Sequence, residues 1–226
     1  NDDGSAIDYG GNIGIQENES HWYGSWIFFR YISEHMVPSN GNGYETIRNI
    51  FEKDIFLSDG DYDKSIEAID EGVNAVDQSY SFKAALNGMA LANSMLTTAG
   101  DYSYKEAENY INYSINLEKI YSGTFPDSED YFNFTDGTLM RYASHYFELN
   151  TVPSSINVTF EPDNSGTSFQ VNAISFSSNP PTVYPIASDT ETSLDFGSGQ
   201  DKVIISVVVD GNTPGLENNY KLTISP

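Results

Sequence analysis

The sequence contains no cysteine. Disulfide bonds, thiolate metal ligands and cysteine nucleophiles are therefore excluded, and cysteine content gives no information about the redox compartment. Stability must come from buried apolar side chains and from hydrogen bonds. The supply is sufficient, because 38% of the residues are hydrophobic and 14% are aromatic, as in folded rather than disordered proteins.

Basic residues are scarce. The 226 residues include 10 lysines and arginines against 33 aspartates and glutamates, which gives a formal net charge of −23. A surface of this sign repels the phosphates of nucleic acids and of anionic lipids, so we expect neither as a partner. The excess of acid either keeps the protein soluble or supplies carboxylates for divalent cations.

A long apolar run is also missing. The most apolar window, residues 22–36, contains Arg30, Glu34 and His35 and is too short to span a bilayer, so no membrane span is predicted. The sequence begins with Asn1 rather than with methionine and shows no signal peptide. We therefore expect either a processed mature protein or a piece of a longer one.

Apolar residues recur at helical spacing before residue 137. The pattern predicts a buried helix over residues 22–36. It predicts further amphipathic helices with these apolar stripes: Tyr44, Ile47, Ile50, Phe51 and Ile55; Ile66, Ile69, Val73 and Val76; Phe82, Leu86, Met89, Ala90 and Leu96. A capping pattern over residues 103–106 predicts the start of a fifth helix, because hydroxyl and carboxylate side chains there can bond to backbone N–H groups reciprocally.

Apolar residues alternate with polar ones after residue 137, as expected of strands. The run from Val203 to Val209 is more continuous, with only Ser206 between apolar residues, and is typical of a central strand covered on both faces. The predicted strands cover residues 138–149, 156–161, 167–176, 182–187, 191–196, 202–209 and 218–225. About seven strands at this spacing indicate an antiparallel β-sandwich.

The predicted fold class is therefore α+β, with two domains. An N-terminal helical bundle domain, including a loop-rich N-terminal segment, covers residues 1–136, and a C-terminal antiparallel β-sandwich covers residues 137–226. Tyr131, Phe132 and Phe134 lie in the connecting segment. Because a free linker is normally polar, these rings predict that the two halves pack on each other there.

Three histidines, His21, His35 and His145, are the possible zinc ligands. Peptidases with an H-E-x-x-H helix place two histidines four residues apart, so that both imidazoles reach one ion. No pair in this sequence has that spacing, and no nucleophile or phosphate-binding motif is present. We expect three structural or surface histidines, no zinc bound by this chain alone and no catalysis by this chain alone.

One acidic loop is a candidate calcium site. Asp59, Asp61, Asp63 and Asp70 occupy positions 1, 3, 5 and 12 of a loop that is similar to an EF-hand. Two features depart from that pattern, because Lys64 stands where the turn needs glycine and Asp70 is shorter than the usual bidentate glutamate. The alternative is an acidic helix start, in which Asp61 and Asp63 interact favourably with the helix dipole.

Four N-x-S/T triplets are candidate acceptors for N-linked glycans. They begin at Asn18, Asn112, Asn133 and Asn157. We expect these asparagines to be exposed, with Asn18 and Asn133 in loops and Asn157 in a strand. Together with the missing cysteine, the triplets favour an extracellular, secreted or cell-surface glycoprotein.

Four segments of the helical half resemble a known family. They are residues 23–34 (YGSWIFFRYISE), 46–52 (TIRNIFE), 65–70 (SIEAID) and 81–86 (SFKAAL). They resemble the helical region downstream of the metal site in secreted thermolysin-like, or gluzincin-type, zinc metallopeptidases of bacteria and archaea. In that family a β-sandwich often follows the helices, and residues 139–149 and 203–209 look like its opening strand and a late one.

The resemblance also implies which parts are missing. The H-E-x-x-H helix of the family and its downstream glutamate ligand would lie before Asn1. The family uses a histidine just before a late helix to stabilise an oxyanion, and His21, ahead of Gly24 and Ser25, is in a comparable place. His21 is therefore the one catalytic candidate that the resemblance offers.

Our leading hypothesis is an extracellular, non-catalytic module of a metallopeptidase-like secreted or cell-surface protein. It would act in binding or assembly, with an extracellular protein, a glycan or copies of itself as partner. One alternative is a C-terminal fragment of a secreted zinc metallopeptidase that is active only with its missing H-E-x-x-H part. Another is a structural subunit of an extracellular filament or surface layer, whose edge strands pair between copies.

Overall fold

The computed structural model describes residues 20–57, 62–97, 100–105, 107, 120–125, 132–139, 142–212 and 218–226. Within these ranges four helices precede nine strands, so the fold is α+β with a β-rich part. The helices are α1 (Ser20–His35), α2 (Gly43–Leu57), α3 (Tyr62–Asn74) and α4 (Phe82–Met95). The strands are β1 (Tyr121–Thr124), β2 (Phe132–Thr138), β3 (Ser144–Val152), β4 (Ser155–Pro162), β5 (Thr167–Ser175), β6 (Thr182–Ile186), β7 (Glu191–Asp195), β8 (Gln200–Asn212) and β9 (Asn219–Ser225). None of the helices in the described ranges is long and apolar enough to cross a membrane.

The helices α1 to α4 occupy the segments in which apolar residues recur at helical spacing. The start of α4 shows how side chains select a helix boundary. Ser81 Oγ accepts a hydrogen bond from Ala84 N at 3.1 Å, and Asp70 Oδ1 accepts one from Phe82 N at 2.7 Å. Two N–H groups that the helix itself cannot satisfy are thereby paired. The helix ends at Leu96, whose φ of 42° is left-handed and closes the last turn.

The predicted fifth helix falls mostly on residues outside the described ranges. Tyr104, near its predicted start, is buried, and its hydroxyl donates to Asn93 Oδ1 of α4 at 2.9 Å. Ala107 is also buried. The chain that follows α4 therefore packs back onto it at these two positions.

The helices α2 and α3 approach each other at a glycine. A Cβ atom added at Gly72 would lie 2.6 Å from Ile50 Cγ1 and 2.7 Å from Ile50 Cα. Both distances are far below ordinary van der Waals contact, and the second involves backbone. The separation of the two helices therefore depends on the missing side chain at Gly72.

Two sheets make up the strand-rich part. A five-stranded sheet has the order β1-β3-β8-β5-β6, and a four-stranded sheet has the order β2-β9-β4-β7. Neighbouring strands pair antiparallel, except that β1 pairs parallel with β3. The sheets enclose one apolar core, to which both contribute.

Strand β8 lies between β3 and β5, and its apolar run belongs to two cores. One set of alternate residues lies in the core between the sheets: Val203, Ile205, Val207 and Val209. The residues between them, Ile204 and Val208, join the core that the helices form with the outer face of the five-stranded sheet. The prediction of a central strand covered on both faces is confirmed.

Aromatic residues contribute to the contact between the helices and the five-stranded sheet. The ring of Phe82 on α4 meets that of Tyr142 edge to face, with 5.0 Å between centroids. The hydroxyl of Tyr146 on β3 donates to the carbonyl oxygen of Ala90 on α4 at 3.3 Å. These contacts make the helical layer and the sheet one packed unit.

A buried carboxylate adds a polar contact between these layers. The side chain of Asp210 on β8 is only 4% exposed. It accepts hydrogen bonds from Lys83 Nζ of α4 at 3.3 Å and from Gln170 Nε2 of β5 at 2.7 Å. Because a buried charge is tolerated only when it is paired, this interaction fixes α4 against the two strands.

The aromatic residues of the connecting segment are not at the contact between helices and sheet. Phe132 and Phe134 lie on β2, and their rings are 5.9 and 4.9 Å from that of Phe147 in the core between the sheets. Alternate residues of a strand face the same side, so both rings point inward. The expectation that they join the two halves is wrong, and Tyr131 lies outside the described residues.

Two strands, β1 and β2, were not among those predicted. Both begin before residue 137, and they pair with β3 and β9, which follow it. The strand predicted to begin at residue 138 begins at Ser144. The division of the chain into two domains at residue 137 stays a prediction.

Replacing Gly72 with alanine should destabilise the protein. Helix propensity alone would favour alanine by about 1 kcal/mol. The added Cβ overlaps Ile50, so we expect a net loss of about 1–3 kcal/mol in the free energy of unfolding, measured by urea denaturation. Gly199→Ala is the matched control, because its Cβ would meet Val152 O at an ordinary 3.5 Å. A Gly72→Ala protein as stable as the wild type would contradict the close approach.

Candidate functional site

A groove of about 540 Å³ lies between α1 and the start of α2. The described residues that line it include Phe29, Arg30, Glu34, Tyr44, Ile47 and Lys105. They combine aromatic, aliphatic and charged side chains on one concave surface. A volume of this size suits a small ligand or a few side chains of a partner protein.

The groove exists because α2 begins close to the end of α1. A Cβ atom at Gly43 would lie 1.9 Å from the backbone oxygen of Ser33, so only glycine fits there. Asn42 Oδ1 accepts a hydrogen bond from Tyr44 N at 3.0 Å and starts the helix. Thr46 is fully buried, and its hydroxyl donates to Met36 O at 2.5 Å. These contacts hold Tyr44 at the edge of the groove.

A paired charge lies in the groove. Arg30 and Glu34, one turn apart on α1, form an ion pair through Arg30 Nε and Glu34 Oε1. The Glu34 side chain is only 4% exposed, and its Oε2 accepts a hydrogen bond from Lys105 N at 3.0 Å. The carboxylate is therefore neutralised in place and holds the segment after α4 against α1.

Exposed aromatic side chains border the groove. Tyr44 is 83% exposed and Phe51 is 54% exposed, and the ring of Phe51 stacks on that of Phe29 with 6.0 Å between centroids. Tyr44, Ile47 and Phe51 are spaced by three and four residues, so they share one side of α2. We call Phe29, Tyr44, Ile47 and Phe51 the aromatic face.

This face was missed by the sequence reasoning. Helical spacing puts Tyr44 and Phe51 on one apolar stripe with Ile50, yet of these three only Ile50 is buried. Ile50 and the buried Thr46 define the covered side of α2, and the aromatic residues lie beside it. The one sequence signal for this arrangement is Thr46, since the position of this threonine on α2 differs from that of the aromatic residues.

His35 is held by neighbours at the end of α1. Its ring stacks on Tyr31, with 4.6 Å between centroids, and its Nε2 donates to Ser103 O. Burial lowers the pKa of His35 below its ordinary value. His21 also lies on α1, but its side chain is outside the described part of the chain. Its suggested catalytic role stays a prediction.

His145 is paired across the two sheets. Its Nδ1 is 2.7 Å from the hydroxyl oxygen of Tyr220 on β9. Burial lowers the pKa of His145 to about 4, so the ring is neutral near pH 7 and accepts the Tyr220 proton. Burial also raises the pKa of Tyr220 well above its ordinary value. The pair satisfies two polar groups inside the strand-rich part.

The structure describes only part of the predicted calcium loop. Asp59 and Asp61 lie outside the described residues, and Asp63 lies on α3 with its side chain outside them. Asp70 is described, and its carboxylate holds the start of α4 through Phe82 N. Among the described residues, no group of three or more histidine, aspartate or glutamate side chains is placed to hold a metal ion. The calcium site stays a prediction.

Two of the four candidate glycan acceptors can be described. Asn133 is exposed and lies on β2 rather than in the loop that was expected. Asn157 is half-buried on β4, and its Nδ2 donates to Pro226 O at 3.3 Å. Asn18 and Asn112 fall outside the residues that the structure describes.

The stability of the protein should fall as the pH drops from 6.5 toward 4. The unfolded chain takes up a proton at His145 in this interval and the folded chain does not, so folding loses on the order of 3 kcal/mol. His35 contributes in the same direction, because its pKa is also lowered. Urea denaturation across this interval measures the slope. His145→Gln keeps an acceptor for Tyr220 and should flatten the profile, and an unchanged slope would contradict this account.

No protein-family model matches this sequence, and no curated protein matches it. Among solved structures, the mitogen of Yersinia pseudotuberculosis is 12% identical with a TM-score of 0.35, over 42% of this chain and 85% of the mitogen. A periplasmic inhibitor of g-type lysozyme from Aeromonas hydrophila is 16% identical with a TM-score of 0.35, over 47% of this chain and 96% of the inhibitor. A surface-associated copper-binding protein of Methylomicrobium album is 5% identical with a TM-score of 0.30, over 47% of this chain and 98% of that protein. These similarities are too distant to indicate a function, and none of the three proteins is a thermolysin-like peptidase.

Proposed function

We propose that this chain is an extracellular, non-catalytic binding module of a metallopeptidase-like secreted or cell-surface protein, and that it docks a protein partner through the aromatic face. The observation that carries the proposal is Tyr44, which is 83% exposed beside the groove. A large exposed aromatic that is adjacent to further apolar side chains is typical of a protein-binding surface.

The composition of the face fits a protein partner. Tyrosine, phenylalanine and arginine are the residues that are enriched at the centres of protein interfaces. Tyr44 and Phe51 supply two anchors on one side of α2, and the groove beside them offers a pocket for a partner side chain. A helix or strand of the partner would lie along α2.

Charge selects the kind of partner. The chain carries a net charge of −23, and Glu45 and Glu52 are exposed on α2 close to the aromatic face. A partner with an apolar centre and a basic rim is attracted by this surface. A second copy of the chain is repelled, which makes self-association through the same face unfavourable.

The environments of two histidines support a non-catalytic role. His35 is stacked on Tyr31 and bonded to Ser103, and His145 is bonded to Tyr220. His35 holds the segment after α4 against α1, and His145 joins the two sheets, as expected of structural histidines. The resemblance to the post-catalytic region of metallopeptidases is in line with this reading.

The outer strands argue against the filament or surface-layer alternative. The edge strand β6 contains Pro185, which has no N–H group to offer a further strand, and β2 has an irregular register between Phe134 and Gly137. The edge strand β7 begins and ends with the exposed acidic residues Glu191 and Asp195. Proline, bulges and charges are the features by which proteins prevent pairing between edge strands.

The proposal includes the arrangement of the chain as an N-terminal helical unit followed by an antiparallel β-sandwich. Two observations support it. All described helices precede all described strands, and the two sheets enclose a common core.

A basic amphipathic peptide should bind the aromatic face. The probe is a synthetic helical peptide with a leucine and phenylalanine stripe flanked by lysines, and fluorescence anisotropy measures its Kd. Tyr44→Ala should weaken binding about tenfold, which corresponds to about 1.4 kcal/mol, because an anchor is lost. Added salt should also weaken binding.

Two controls make this test specific. Ile120→Ala removes another exposed apolar side chain, 39% exposed just before β1, and should leave the Kd unchanged. A matched peptide with glutamates in place of lysines should bind more weakly. Absence of binding, or equal effects of Tyr44→Ala and Ile120→Ala, would overturn the docking proposal.

The purified chain should show no zinc-dependent peptidase activity. His35 and His145 are engaged in packing, and the H-E-x-x-H ligands implied by the resemblance are not part of the sequence. Cleavage of fluorescently labelled casein with added zinc, with and without a chelator, is the measurement. Chelator-sensitive cleavage would favour the metallopeptidase alternative.

A further inference from the structure

The outer face of the four-stranded sheet is a continuous polar surface. One row crosses all four strands, since Asn133 lies opposite Thr223, Thr223 opposite Thr159, and Thr159 opposite Glu191. The residues between them along each strand belong to the core side of the sheet, for example Ile224 and Val158, which are fully buried. The strands therefore separate an apolar inner face from a polar outer one.

Two candidate glycan acceptors share this outer face. Asn133 lies on the edge strand β2 and is exposed. Asn157 lies on β4, opposite Ser193 on one side and Ser225 on the other. From the usual spacing of strands and residues, the two asparagines are about 12 Å apart. In the second triplet Thr159 follows Asn157 by two positions on β4, so it lies on the same side of its strand as the asparagine.

We propose that the outer face of the four-stranded sheet carries N-linked glycans at both Asn133 and Asn157. This inference rests on the extracellular location within the proposed function. It goes beyond the triplets themselves, because the fold brings two acceptors from distant parts of the sequence onto one surface. The residues opposite the two asparagines include small polar ones, Thr223 beside Asn133 and Ser193 beside Asn157.

The reaction needs a phosphate-linked sugar donor and an external transferase. The asparagine Nδ2 forms a bond to the anomeric carbon of the sugar, and the bond from that carbon to the donor phosphate oxygen breaks. The phosphate group leaves, the amide loses one proton, and no oxidant or reductant takes part. The amide keeps its second proton, so at Asn157 the hydrogen bond to Pro226 O can persist.

Glycans at these positions leave the docking surface free. The helices cover the outer face of the five-stranded sheet, and the four-stranded sheet lies on the other side of the core that the sheets enclose. The aromatic face therefore lies on the helical layer. The two asparagines lie on the four-stranded sheet, at the opposite side of the fold. Sugars on the four-stranded sheet do not cover Tyr44.

The experiment is glycopeptide mapping of the full chain, secreted from a cell that performs N-glycosylation. Treatment with peptide-N-glycosidase converts each modified asparagine to aspartate, which mass spectrometry locates. Asn133→Gln and Asn157→Gln should each lower the intact mass by one glycan. Thr159→Ala should lose the Asn157 glycan although the asparagine is retained, and Thr223→Ala, in the same row but outside both triplets, should lose none.

An unmodified Asn133 or an unmodified Asn157 in the secreted wild-type chain overturns the inference, including the case in which sugars are found only at Asn18 or Asn112. Binding of the basic peptide is measured on chain without sugars. Failure of the glycan proposal and failure of the docking proposal are therefore distinguishable.

Discussion

The alternation of side chains along β8 connects the layers of this protein. Successive residues of a strand leave its backbone on opposite faces, so the apolar run from Val203 to Val209 must be covered twice. The second sheet covers one set of side chains and the helices cover the other. Each buried aliphatic side chain is worth about 1.5–3 kcal/mol, so removal of either layer would expose several of them together. The position of the helices is therefore a consequence of the sheet.

Polar groups inside the molecule reinforce the same arrangement. Asp210, at the end of the β8 run, is paired with Lys83 of α4, and His145 is paired with Tyr220 of the other sheet. Each pair joins two layers, and a partner lost from either would leave a buried polar group unsatisfied. The packing of the layers thus determines the protonation of buried groups, because burial lowers the pKa of His145.

The functional proposals follow from what the layers leave uncovered. The helical layer leaves Tyr44 and Phe51 exposed beside a groove with a neutralised ion pair, and we propose this surface for a protein partner. The four-stranded sheet leaves a polar face with two possible sugar acceptors. The two proposals therefore place docking and modification on opposite layers of the packed structure, and neither proposal requires a catalytic group.

Local pattern in the sequence was sufficient to predict the helices α1 to α4, the strands from β4 to β9 and the two-sided burial of β8, because periodicity depends on each segment alone. It did not predict β1 and β2, which contain glycine or polar residues and exist through pairing with β3 and β9. Nor did it predict the aromatic face. Helical spacing shows which residues share a side of α2, but α1 and α3 decide which side is covered, and they cover Ile50 and leave Tyr44 in solvent. Only the tertiary structure decides this, because exposure is a property of the neighbours and not of the segment.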